Sequence, residues 1–258
     1  MAKLVFITGA SSGIGQALAI SFYNAGYALA LVARRTQDTA VWAQQQNLDP
    51  RRYAIYEGHV DQVESIVSVA NQCISQQGTP DVVIANAGIS IGMDTAQRAD
   101  LDVMAQTFAT NNLGLAATFH AFIGPMVTRG SGVLVGIGSV AGIRGLPGHG
   151  AYCASKAAVI AYCESLRGEL RSSGVKVVTI CPGYIDTPLT QQNRYSMPFL
   201  MRADTFADQA LRVIEGGKSY TVIPWQMGWV AKLLRLLPNA VYDKALSGRP
   251  RKHRSGGT

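Results

Sequence analysis

The chain has 258 residues, 48% of them hydrophobic and 15% charged, proportions that exclude an intrinsically disordered chain and suit one α/β domain of above-average size. The formal net charge of +7 looks like a nucleic-acid signal, but Arg249, Arg251, Lys252 and Arg254 crowd the last ten residues, so the body of the chain gives no reason to expect DNA or RNA as a partner. Cys73, Cys153, Cys163 and Cys181 show neither a C-x-x-C pair nor metal-type spacing with the four histidines, which argues against a disulfide framework or a metal site and for a reducing, cytoplasmic setting.

In chain order, Met1-Ala2-Lys3 runs straight into the apolar Leu4-Val5-Phe6-Ile7 and then a glycine turn. That run is too short for the core of a signal peptide, so no export signal is expected. No apolar stretch of about eighteen residues follows, so no membrane-spanning helix is expected either. Seven short apolar runs predict strands at residues 4–7, 28–32, 53–56, 82–85, 133–137, 175–180 and 220–223. Their near-continuous apolar character predicts burial on both faces, as in a parallel sheet covered by helices. Residues 16–25, 63–76, 101–127 and 152–172 are long enough for the crossover helices that parallel strands require.

The first strand ends in Thr8-Gly9-Ala10-Ser11-Ser12-Gly13-Ile14-Gly15, directly before a helical pattern. Glycines there permit a tight turn and let backbone approach a pyrophosphate at the helix N-terminus, making Gly9, Ser11, Ser12, Gly13, Ile14 and Gly15 candidate cofactor contacts. The expected architecture is a single-domain, Rossmann-type, doubly wound α/β fold: a seven-stranded parallel sheet with helices on both faces. After the second strand, where a site for NAD usually places an acidic residue, the chain reads Ala33-Arg34-Arg35. A carboxylate would repel a 2′-phosphate and a guanidinium can pair with it, so Arg34 and Arg35 favour NADP(H). The alternative is that both are solvated loop charges. Asn86-Ala87-Gly88 follows the fourth strand, at the carboxyl edge where such sheets bind ligands.

Tyr152 and Lys156 stand four apart at the start of a predicted helix and share a face. A free phenol, with a pKa of about 10, is a poor proton donor near neutrality, and an adjacent ammonium would lower that value. Ser139, at the end of the fifth strand, could stabilise a developing alkoxide beside Tyr152. Each feature also has an ordinary reading, as a charged pair on a helix surface or a serine that ends a strand.

Together, Thr8-Gly9-x-x-x-Gly13-x-Gly15, Asn86-Ala87-Gly88, Asn111 in an Asn-x-x-Gly sequence, Ser139, Tyr152-x-x-x-Lys156 and Pro182-Gly183 resemble the short-chain dehydrogenase/reductase family in order and spacing. The resemblance extends through about residue 224. It implies an oxidoreductase acting on a small-molecule carbonyl or alcohol, with an Asn111-Ser139-Tyr152-Lys156 tetrad. In that tetrad Tyr152 is the acid/base, Lys156 also holds the nicotinamide ribose, Ser139 orients the carbonyl and Asn111 steadies a proton-relay water. It further implies nicotinamide-side contacts from Pro182, Gly183, Ile185 and Thr187, and a homodimer or homotetramer. A different class of reading, an NADP(H)-binding sensor or scaffold without turnover, would have no need of both Tyr152 and Lys156.

This sequence departs from the family's pattern in three places. An Asp-Val pair common after the third strand is here His59-Val60, with Asp61 next, so His59 and Val60 are the expected adenine-side contacts. The glycine-rich ending of acyl-carrier-protein reductases is absent, which turns the resemblance toward relatives that handle hydrophobic ketones, alcohols, sterol-like or long-chain-base substrates. Beyond residue 224, Met227, Val230, Leu233, Leu234 and Leu237 recur at helical spacing, with Lys232 and Arg235 among them. Residues 1–224 are therefore expected to form the dinucleotide-binding and catalytic domain, and 225–258 an amphipathic helical extension ending in a basic, disordered tail. That extension could pack on its own domain or a neighbouring subunit, reach over the substrate cleft, or rest on a membrane surface. Between Tyr184 and Ala203, the apolar Leu189, Met197, Pro198, Phe199, Leu200 and Met201 suggest a lid that excludes water, or side chains that simply pack.

Overall fold

Successive side chains of a strand point to opposite faces of its sheet, and in β1 (Leu4–Thr8) both faces are dry. Leu4 and Phe6 enter one apolar core, while Val5 and Ile7 enter another. The computed structural model describes residues 2–191, 193 and 196–248. After β1 come α1 (Gly13–Asn24), β2 (Ala28–Ala33), α2 (Thr36–Gln45), β3 (Tyr53–Glu57), α3 (Val63–Gln77) and β4 (Val82–Ala85). The middle of the chain forms α4 (Asp100–Phe108), α5 (Gly114–Arg129), β5 (Gly132–Ile137), α6 (Gly150–Glu169) and β6 (Val175–Pro182). It closes with β7 (Ile185–Asp186), α7 (Pro188–Gln191), β8 (Met201–Arg202), α8 (Ala203–Glu215), β9 (Tyr220–Ile223), α9 (Trp225–Leu236) and α10 (Asn239–Leu246).

Seven strands pair in parallel in the order β3-β2-β1-β4-β5-β6-β9. Residues of α3, α5 and α6 build the core on one face, those of α1, α2 and α8 the core on the other. Across the first face Phe6 meets Phe122 edge-on, with ring centres 4.7 Å apart; full burial of each ring contributes about 1.5–3 kcal/mol. Because all seven strands are parallel, their carboxyl ends share one edge, and the order of strands reverses between β1 and β4. A crevice opens at such a switch point.

Two local departures from the predicted elements bear on the site. The helix expected over residues 101–127 is divided: α4 and α5 are joined by a π-helical turn, Ala109–Leu113. One extra residue per turn brings Asn111 inward, to 1% exposure. The second is a small parallel pair, β7 and β8, outside the main sheet; two-residue strands leave no period to detect. Among the described residues no helix is long and apolar enough to cross a membrane. The four cysteines are unpaired and buried.

Candidate active site

A cleft of about 420 Å³ runs along the carboxyl edge of the sheet, beginning at the turn between β1 and α1. Gly9 and Gly13 take φ of +68° and +55°, a region that disfavours side chains. A Cβ at Gly15 would lie 2.1 Å from the Gly9 carbonyl oxygen, so only glycine lets the helix start fold back on the turn. Ser12 makes no side-chain capping bond and the first turn of α1 has no acid, which leaves its first N–H groups available to an anion. Thr8 joins this turn to the next loop: its Oγ1 accepts from the N–H groups of Asn86 and Ala87 at 3.0 and 3.1 Å, and Asn86 Nδ2 donates to the Thr8 carbonyl at 2.9 Å.

The cleft is lined by Gly9, Ser11, Ser12, Gly13, Ile14, Arg34, Val60, Asn86, Ala87 and Gly88 on one side, and by Ser139, Tyr152, Lys156, Pro182, Gly183, Ile185 and Thr187 on the other. Four residues singled out in the sequence are not among its lining. Gly15 serves the turn from behind, as its approach to Gly9 shows. Arg35 directs Nε to the Asp38 carboxylate at 2.6 Å, which leaves Arg34 as the arginine on the cleft. His59 donates its backbone N–H to Ser65 Oγ at 3.0 Å, while Gly58, Val60 and Asp61 face the cleft. Asn111 uses its side chain on the protein: Oδ1 accepts from the Ile89 N–H at 2.8 Å, and Nδ2 donates to the Ile89 carbonyl at 3.0 Å and to Ser155 Oγ at 2.9 Å. It thereby ties the loop after β4 to α6.

At the other end, Ser139 leaves β5 in extended conformation and its Oγ accepts from the Ala141 N–H at 3.1 Å, opening a short 3-10 turn, Val140–Gly142. That turn lies directly on α6, for a Cβ at Gly142 would come 2.6–2.8 Å from backbone atoms of Lys156 and Ala157. The close approach sets Ser139 beside Tyr152 on the wall of the cleft. Lys156, one helical turn on, is 5% exposed; its Nζ donates to the Ile137 carbonyl at 2.8 Å and lies 5.9 Å from the centre of the Tyr152 ring.

The sequence reading expects this ammonium to acidify the phenol. Burial dominates instead: it pushes the Tyr152 phenol up to about 12, against the smaller lowering by Ser139. Burial likewise pulls the Lys156 ammonium down to about 8. Each charged form loses more stabilisation from water than the Ile137 carbonyl or the Ser139 hydroxyl restores.

A second cavity, of about 130 Å³, adjoins the first and shares Ser139, Tyr152, Gly183, Leu189 and Thr190 with it. Its far wall is the C-terminal extension: Met227, Val230, Ala231 and Leu234 of α9 and Tyr242 of α10. Of the placements open to the extension, this chain packs it on its own domain and over the cavity. Arg144 fastens it there. Its guanidinium donates to the carbonyls of Leu234 and Leu237, the latter at 2.8 Å, and to Asn239 Oδ1 at 3.1 Å, and lies 3.8 Å from the Tyr242 ring centre. Tyr242 in turn donates to the Gly145 carbonyl at 2.6 Å. Nothing near Arg144 in the sequence marks it, because its partners lie 90 or more positions away.

The segment from Tyr184 to Ala203 divides. Leu189 faces both cavities and Met201 pairs with Ile185, but Phe199 and Leu200 are about half exposed. Residues 192, 194 and 195 of that segment, and the basic tail from 249 onward, lie outside the described residues.

A family model described as short chain dehydrogenase matches residues 3–197. A protein of Myxococcus xanthus (strain DK1622), described as an uncharacterized oxidoreductase, is 34% identical over 243 residues, covering 94% of this chain and 96% of its own. Among solved structures, an alcohol dehydrogenase of Thermococcus sibiricus complexed with 5-hydroxy-NADP is 25% identical with a TM-score of 0.76, over 88% of this chain and 98% of its own. A short-chain dehydrogenase/reductase of Burkholderia phymatum in complex with NAD shares the fold at a TM-score of 0.82 and 21% identity, over 97% of both chains.

Proposed function

Because the chain belongs to the short-chain dehydrogenase/reductase family, oxidoreductases that act on CH–OH or C=O groups with a nicotinamide cofactor, we propose that it uses NADPH to reduce an apolar carbonyl compound. One observation carries the proposal: Ser139 and Tyr152 stand on the wall common to a long cleft of mixed polarity and a smaller, more apolar pocket. A group bound in each would meet there.

The cleft suits a dinucleotide. The uncapped start of α1 and the glycine turn offer N–H donors to a pyrophosphate, and Arg34 on the rim offers a guanidinium to a 2′-phosphate. When bound, NADPH supplies the hydride. The chain supplies the rest. Tyr152, with its phenol raised to about 12, keeps its proton at neutral pH and can donate it to the carbonyl oxygen. Ser139 steadies that oxygen as charge develops. Lys156 offers an ammonium to the nicotinamide ribose, and Asn111 is a positioning residue that holds the loop after β4 and the π turn against α6. At neutral pH the phenol is in the protonated form that reduction requires, while burial makes it a weaker acid than a free tyrosine.

The apolar roof favours an apolar substrate. Leu189, Met227, Val230 and Leu234 exclude water from the reacting carbonyl, and the charge of Arg144 is already spent on backbone carbonyls. The test is NADPH oxidation over a panel of carbonyls, including long-chain and ring ketones, with wild type and Tyr152→Phe. Turnover of apolar ketones by wild type alone is the expected result; equal residual rates in both proteins would remove Tyr152 from the chemistry.

A further inference from the structure

Helix α9 is apolar on two opposite faces, and the domain covers only one. Met227 and Ala231 are 5% exposed and, with Val230 and Leu234, wall the second cavity. On the other side Trp225, Trp229, Leu233 and Leu236 are 67, 60, 62 and 80% exposed. At about 100° per residue these four fall within one narrow stripe along the helix. A helix apolar all round is ordinarily buried all round, so this stripe calls for a partner.

Charge identifies the partner's chemistry. Residues 225–258 hold seven Lys or Arg and one acid, Asp243, so six of the chain's seven net positive charges lie in this short segment. Two of its three tryptophans lie there too. Lys232 belongs to the stripe itself, its Nζ 5.3 Å from the Trp229 ring centre, and Arg235 follows on the next turn. A second copy of the chain is a poor fit, because a two-fold contact between two such stripes would bring together helices that carry Lys232 and Arg235 and no carboxylate in residues 225–236. Tryptophans with interspersed cations match instead the boundary between acyl chains and anionic headgroups.

We infer that the outward face of α9 docks on an anionic lipid surface, with Trp225, Trp229, Leu233 and Leu236 entering the headgroup boundary and Lys232 and Arg235 meeting lipid phosphates and carboxylates. The same helix walls the second cavity, so docking sets that cavity about 10 Å, one helix diameter, from the lipid.

Co-sedimentation of the full chain with vesicles tests this without reference to activity. Vesicles of phosphatidylcholine with phosphatidylserine should retain the protein, those of phosphatidylcholine alone should retain much less, and added salt should release it. The double variant Trp225→Ala/Trp229→Ala removes only exposed side chains, so its melting temperature should match wild type while its vesicle affinity falls at least about tenfold. Equal retention of the variant, or no retention of wild type by either vesicle, overturns the proposal. So does sedimentation velocity that shows a wild-type dimer dissociated by the double variant, because the stripe would then be a contact between copies.

Discussion

The two cavities that meet at Tyr152 are built from different material. The long cleft begins on backbone, at a glycine turn and the start of α1, and runs past the loop after β4 to residues at the ends of β5 and β6 and on α6. The smaller one is mostly side chain, gathered from the turn after β5, the segment after β6 and two C-terminal helices. A backbone cradle binds what is common to all dinucleotides, whereas a side-chain wall can change its shape without disturbing the sheet. The cleft therefore reads as the part that serves a dinucleotide and the pocket as the part that selects a substrate.

The two should separate under mutation. Tyr152→Phe strikes the common wall and carries the largest effect: kcat falls by about 10²–10⁴, while NADPH affinity, measured by fluorescence titration, holds within about twofold of wild type. Retained turnover would move the reaction away from this wall. Arg34→Asp acts on the cleft alone. The ratio of kcat/KM for NADPH to that for NADH should fall by about 10–100-fold, with carbonyl KM unmoved; an unaltered ratio would take the 2′-phosphate away from Arg34. Arg144→Ala acts on the pocket alone. Loss of its bonds to Leu237 and Asn239 should cost about 1–3 kcal/mol of stability, lower the melting temperature and raise carbonyl KM about tenfold, leaving NADPH affinity intact. If NADPH affinity falls in step with carbonyl affinity, the two cavities are not independent.

The smallest effect is one of pH. Lys156, depressed to about 8 by burial, is protonated below that value and loses its charge as pH rises through it. The Tyr152 phenol, raised to about 12, keeps its proton over the same range. The kcat/KM for NADPH, which reports the free enzyme, should therefore decline above about pH 8 through the amine and not the phenol. A profile flat to about pH 10 would mean that no ammonium of depressed pKa contributes.

Much of this was legible from residue order. Seven apolar runs located all seven strands of the main sheet because strands buried on both faces leave unbroken hydrophobic segments. Gly9, Gly13, Asn86 and Tyr152 were legible because a turn, a strand end and a helix spacing are local facts. Arg34 and Arg35 were not separable, since what distinguishes them is the place of Arg34 on the cleft and the ion pair of Arg35 with Asp38. The π turn at Asn111 was hidden because its partners, Ile89 and Ser155, lie 22 and 44 positions away. The direction of the Tyr152 shift was hidden for a related cause: spacing along a helix says nothing of burial, the largest cause of both pKa shifts.

By itself, then, the amino-acid sequence determined the sheet and its family and supplied the residues proposed for the reacting wall, because short-range periodicity and turn chemistry encode them within a few positions. Only tertiary structure decided which face of α9 roofs the pocket and which looks outward, and that Arg144 is the clasp between them. Those depend on contacts across some 90 residues of chain, where no local pattern reaches and packing alone selects the partner.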